Sequence, residues 1–298
     1  ARMFMNDMVM HNIKYNLISY RMTNDSLSHK IVKDNLNHVK KLQDKIKLKH
    51  GLIKPTTDDV IQLDIKKDNN LNIGILIIAT DKYIEFVKPL VNSINNLFLK
   101  EYNKIIFCFT DNVDYELPDN VIKIYQEHST WPSVVVKRHE IIYKNIDYYK
   151  NIDVLYYIDA DMMINSEIDE QILPDDRGLV AVIHPGYYKD KIQCFERNPL
   201  STAYVNYEHH IYHCSGIQGG KKEQFLEAYK SMLDNTKQDL KNNIIAVWHD
   251  ESHWNHYLIN NPDSYKELDC SYCYPEQWNL DLPKRIIALD KDYEYFRK

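Results

Sequence analysis

Residues 153–168, DVLYYIDADMMINSEI, run from an apolar stretch straight into two acids. Val154 to Ile158 is too short for a helix and shows no polar alternation, so it reads as a strand covered on both faces. Such strands belong to mostly parallel sheets, which take their ligands at the carboxyl ends of the strands. Asp159 and Asp161 stand at that end. Side chains at i and i+2 of an extended segment point the same way, so the two carboxylates address one point, at a cost unless a cation sits beside them. Hard oxygens suit Mg²⁺ or Mn²⁺, and an anionic ligand such as a nucleoside diphosphate goes naturally with the metal. A solvated turn explains the same triplet. A haloacid-dehalogenase-type phosphatase also begins with D-x-D after an apolar strand, but it wants Thr or Val where Met163 stands and the motif near the domain's first strand.

Upstream, the same alternation repeats. "NIGILIIAT" reads as a strand, Tyr83 to Asn96 as a helix, "KIIFCFTD" and "VIKIYQ" as strands, and the stretch around Pro132 to Lys144 as a helix. The fold class is therefore α/β, with a single mostly parallel central sheet flanked by helices. Thr80-Asp81 and Thr110-Asp111 also sit where strands run out, so three polar clusters are expected along one edge of the sheet. Only 7 glycines occur, and neither G-x-G-x-x-G nor a P-loop is present, which argues against a dinucleotide fingerprint.

The 298 residues, 44% apolar and 12% aromatic, suffice for one large domain or two small ones. A formal charge of -6 gives no reason to expect nucleic-acid binding. Residues 1–70 hold 13 Lys+Arg and 8 Asp without Glu, net +5, against -11 for the remainder. We expect a basic, mainly helical N-terminal extension over 1–70 and a catalytic domain over 71–298. Residues 24–51 read as one long helix, with Val32, Leu36, Val39 and Ile46 on a stripe that serves packing on the next domain, self-association or contact with an acidic surface. No apolar run is long enough to span a bilayer, and five scattered cysteines fit a reducing compartment, so the expectation is a soluble cytoplasmic protein, peripheral to a membrane at most. "CSYC" reads as buried thiols or a lone zinc or redox pair.

"AVWHDESHWNHY", residues 246–257, packs two Trp, three His and two acids into one stretch. His249 and His253 have the i, i+4 spacing of a zinc helix, but the Glu does not follow the first His. Aromatic faces that stack on a pyranose and carboxylates that take its hydroxyls or its developing positive charge suit the stretch better.

Here the sequence resembles glycosyltransferase family six, the retaining α-1,3-galactosyl and N-acetylgalactosaminyl transferases. The resemblance runs from about Asn72 to Arg297, through "ATDKY", "FTD", "WPSVVVKR", "DAD", "HPGYY", "ERNPLSTAY", "GIQGG", "WHDESHWNHY", "YPEQW" and "ALDKDYEYFR". It implies a GT-A fold, a UDP-sugar donor, a galactoside-type glycan acceptor and Mn²⁺ or Mg²⁺. By the same resemblance Thr80 and Tyr83 contact uridine, Asp159 the ribose and metal, and Asp161 the metal and diphosphate, while Arg138 bridges the acidic pair and the donor sugar. Glu251 is the central carboxylate, Asp250 and His184 contact donor and acceptor hydroxyls, and Trp248 stacks on the acceptor. Lys291 and Arg297 clamp the diphosphate from a C-terminal lid. Bacterial relatives often replace D-x-D by N-x-N; this chain keeps both acids, which implies metal dependence. Cys214 and Gly216 fall in the sugar-selecting segment, and Gly216 leaves room for the acetamido group of N-acetylgalactosamine, with galactose as the other donor sugar. Two other classes compete: a D-x-D metal-dependent phosphatase, and a carbohydrate-binding homologue without activity.

Overall fold

The computed structural model describes residues 71–189, 194–206 and 210–297. The basic segment 1–70, with its expected helix, stripe and surface contacts, lies outside the described residues. So do residues 190–193 and 207–209.

In chain order the elements are β1 (Asn72–Ile78), α1 (Ile84–Leu97), β2 (Asn103–Thr110), β3 (Val121–Tyr125), α2 (Ser133–Val136), α3 (Arg138–Tyr143), β4 (Val154–Ile158), β5 (Met162–Ile164), β6 (Leu179–Ile183), β7 (His213–Lys221), α4 (Lys222–Lys241), α5 (Asp250–Asn260), β8 (Tyr265–Leu268), β9 (Tyr274–Pro275), β10 (Ile286–Ala288) and α6 (Tyr293–Arg297). Seven strands form the central sheet in the order β3-β2-β1-β4-β7-β6-β8. Its pairs are parallel except where β7 runs against β4 and β6. This is the α/β, GT-A-like architecture expected from the sequence.

The period-2 rule divides the core. Ile73, Ile75 and Ile77 face α1, which buries Val87, Leu90, Val91 and Ile94 along one stripe. Leu76 and Phe107 face the opposite layer, with Tyr149, Tyr229 and Trp254. In β7 the glycine of "GIQGG" at 219 permits a close approach, since a Cβ there would lie 2.4 Å from the Tyr156 ring. β1 has β2 on one side and β4 on the other, which makes the carboxyl ends of β1 and β4 the point where strand order reverses, the usual crevice of open α/β sheets.

Beyond the single sheet expected, a second, three-stranded sheet forms in the order β5-β10-β9. The Asp159–Asp161 turn redirects the chain out of the central sheet, and β5 then pairs with β10 from near the C-terminus. No described helix is long and apolar enough to cross a membrane.

Candidate active site

All five residues of β4 are buried, so polar side chains can reach solvent only at its ends. Asp159 continues the ladder by one bond, its N–H donating to Gly216 O at 2.9 Å, and a tight turn closes with Met162 N–H on Asp159 O. The two acids are thus on a turn and not on a continued strand, yet both line one cavity of about 250 Å³. Thr80, Tyr83, Arg138 and Lys291 line the same cavity. Thr80 is buried and hydrogen-bonded through Oγ1 to His128 Nδ1 at 3.0 Å. The polar exits of β1 and β2 are also joined, Asp81 N–H donating to Asp111 Oδ1 at 2.8 Å.

Arg138 opens α3 and is the hub of the site. Only 3% exposed, it donates through Nη1 to Ser215 O and through Nη2 to Asp159 Oδ1, both at 2.8 Å. Its Nη1 also lies 2.6 Å from Asp250 Oδ2. Burial alone disfavours the guanidinium charge, but Asp250 and Asp159, with the Tyr157 and Tyr229 phenols, outweigh it and raise the pKa, so the group stays cationic.

Asp250 and Glu251 form the first turn of α5, where the helix dipole favours anions. The preceding residue, His249, has φ 54° and ψ -123°, backbone strain of roughly 1–3 kcal/mol stored beside the two acids. Ser215 N–H donates to Glu251 Oε2 at 2.8 Å, and the Tyr212 hydroxyl lies toward the same carboxylate without completing a hydrogen bond. Burial raises the Glu251 pKa against these donors. Burial also pushes Asp250 up to about 7, against the pull of Arg138, and the Asp159 and Glu251 carboxylates add to the rise.

The C-terminal segment folds over the cavity. Lys291 Nζ pairs with Asp161 Oδ2, and Leu289 N–H donates to Asp161 O at 2.9 Å. Phe296 packs 4.7 Å from Phe86 and 5.4 Å from Tyr83, centroid to centroid. Lys82 Nζ donates to Tyr295 O at 2.6 Å, and the Tyr295 hydroxyl to Glu85 Oε1 at 3.0 Å. Arg297 ends α6, and its side chain lies outside the described residues.

Other expected residues sit beside this cavity and do not line it. His184 belongs to an aromatic group with Tyr187 and Tyr212, its Nδ1 accepts from Gly186 N–H at 3.0 Å, and burial lowers its pKa to about 4, so it is neutral near pH 7. Trp248 is 46% exposed just before α5. Cys214 is buried against Cys273. Gly216 lies against Asp159: a Cβ there would meet Asp159 Oδ2 at 3.2 Å. Sequence reasoning missed Tyr157, whose hydroxyl donates to Asp159 Oδ1 at 2.6 Å, together with His128 and the Ser215 backbone. Tyr157 had a readable signal, since it stands two residues before Asp159 on one strand face.

A family model described as glycosyltransferase family 6 matches residues 52–298. The O-antigen biosynthesis glycosyltransferase WbnI of Escherichia coli is 31% identical over 229 residues, 74% of this chain and 96% of its own length. Globoside alpha-1,3-N-acetylgalactosaminyltransferase 1 of Homo sapiens is 31% identical over 252 residues, 76% of this chain and 69% of its own. Histo-blood group ABO system transferase 1 of Rattus norvegicus is 28% identical over 248 residues, 78% and 70%. A family match over most of the chain means that this protein belongs to glycosyltransferase family 6.

Proposed function

We propose that this glycosyltransferase moves N-acetylgalactosamine, or galactose, from a UDP-sugar to a galactoside-type acceptor in α-1,3 linkage with retention of configuration. The observation that carries the reading is the convergence of Thr80, Tyr83, Arg138, Asp159, Asp161 and Lys291 on one cavity, with Arg138 tying that cavity to Asp250. In this reading Thr80 and the Tyr83 ring take the uridine, and Asp159 the ribose. Lys291 and Arg297 approach the diphosphate from the tail.

The two carboxylates fit a divalent metal by their chemistry. Both are hard oxygen donors on one cavity, Asp159 takes both its hydrogen bonds through Oδ1, and Asp161 already accepts a cation, Lys291. Among the described residues no group of three or more His, Cys, Asp or Glu forms a cage. Mn²⁺ or Mg²⁺ would thus be held by Asp159 and Asp161 and share donor phosphates, as such ions do, supplying charge neutralisation at the leaving diphosphate.

Glu251, fixed by Ser215, faces the centre that becomes positive as the sugar leaves UDP, and its charge lowers that barrier. Asp250 and neutral His184 take sugar hydroxyls, and exposed Trp248 offers the acceptor a stacking face. The testing experiment is transfer from UDP-N-acetylgalactosamine and UDP-galactose to a β-galactoside, with the product's anomeric configuration read by NMR. An α-linked product is expected; a β-linked product, or release of phosphate without glycoside, overturns the reading.

Two predictions follow from the site's details. Because the Asp250 carboxyl is held above its ordinary value, it protonates as pH falls through about 7 and not near 4. If the ionised form contacts the donor, kcat/KM should fall tenfold per pH unit below that point, and the limb should vanish in Asp250→Asn. A wild-type limb in the ordinary carboxylate range would contradict this.

In Gly216→Ala the new methyl meets Asp159, so kcat/KM should drop for both donors, and crowding at C2 should further shift selectivity toward UDP-galactose by about 10- to 200-fold. A common loss with an unchanged ratio would remove Gly216 from the C2 pocket.

A further inference from the structure

We infer that Tyr157 is a positioning residue of the donor site, holding the Asp159 carboxylate in the orientation that leaves its second oxygen for the donor and its cation. The inference rests on the donor-site reading above. Tyr157 and Asp159 are two apart at the end of β4 and so share a face. Asp159 Oδ1 receives two donors, Tyr157 Oη at 2.6 Å and Arg138 Nη2 at 2.8 Å. Two donors fix the carboxylate plane, whereas one leaves it free to turn about Cβ–Cγ. Oδ2 is then directed over Gly216, the residue with no side chain to meet it.

Tyr157 also steadies the second donor, because the Arg138 guanidinium lies 4.1 Å over its ring centroid. The hydroxyl has no packing reason to be there. Tyr157 is 3% exposed within an apolar cluster that a phenylalanine ring would fill equally. Its neighbour gives the contrast: Tyr156 faces the other layer and donates to Ile172 O at 2.8 Å, a bond remote from the cavity. One tyrosine secures a loop, and the other orients a carboxylate.

Tyr157→Phe keeps the ring and removes the hydroxyl. Calorimetric titration with UDP and Mn²⁺ should show affinity weakened roughly tenfold. KM for the UDP-sugar should rise in step, while kcat changes less than about threefold and Tm stays within about 2 °C. In an Asp159→Ala background the same substitution should leave UDP affinity unchanged, because the residue it acts through is gone. Tyr156→Phe, as the control, should lower Tm without moving UDP affinity. Unchanged UDP affinity in Tyr157→Phe, or an equal loss in the Asp159→Ala background, overturns the inference. Wild-type protein that binds no UDP overturns the donor-site reading itself, so the two failures are distinguishable.

Discussion

Glu251→Gln is expected to lower kcat by about 10²- to 10³-fold while leaving UDP–Mn²⁺ affinity within about twofold. The substitution conserves volume, and the amide oxygen can still accept from Ser215 N–H, so the fold around β7 and α5 has no reason to change. What disappears is a buried negative charge, which matters little while the donor is neutral at C1 and most when that carbon becomes positive. Burial raises the Glu251 pKa, and the Ser215 N–H and the helix N-terminus work to keep the charge there. Steady-state kinetics paired with UDP titration separates the two parameters. An unaltered turnover number would remove Glu251 from the mechanism.

Arg138→Ala should destabilise the protein by about 3–5 kcal/mol, because it leaves Asp159 and nearly fully buried Asp250 without their shared cation. For a domain of this size that corresponds to a fall in Tm of roughly 10 °C. Arg138→Lys restores one charge but not the fork that reaches Asp159, Ser215 O and Asp250 together, so it should recover part of Tm and little of kcat/KM. A melting point within about 2 °C of wild type for the alanine variant would show that the two carboxylates do not depend on this guanidinium.

Local pattern made much of the fold legible. The apolar run of β4 and the acids at its exit were readable because strand periodicity and burial are written in neighbouring residues. The strands and the helix from 72 to 125 followed for the same reason, while the one helix expected around Pro132 to Lys144 is two short ones, Ser133–Val136 and Arg138–Tyr143. The reversal of order between β1 and β4 explains why the polar exits gather. The second sheet was not legible: β5 has three residues, β10 three and β9 two, too few for a period to register.

The site's wiring was hidden for another reason. Arg138 reaches Asp159 across 21 residues and Ser215 across 77, and Lys291 reaches Asp161 across 130. Sequence offers no spacing rule over such distances, so these roles came through resemblance to a family. The backbone groups of Ser215 carry no residue identity at all. Tyr157 hid in plain view, its hydroxyl masked by an apolar strand that a tyrosine completes as well as a phenylalanine.

The central claim is that the cavity at the ends of β1 and β4 holds a nucleoside diphosphate with a divalent cation, and thermal unfolding with UDP and Mn²⁺ tests it most directly. At UDP about 100 times its dissociation constant, linkage supplies about 2.7 kcal/mol, which should raise Tm by roughly 5–10 °C. Both ligands together should be required, with UDP or Mn²⁺ alone giving much less, and Asp161→Asn should abolish the joint effect. No rise with both present, or an equal rise with inorganic phosphate and Mn²⁺, would contradict the account.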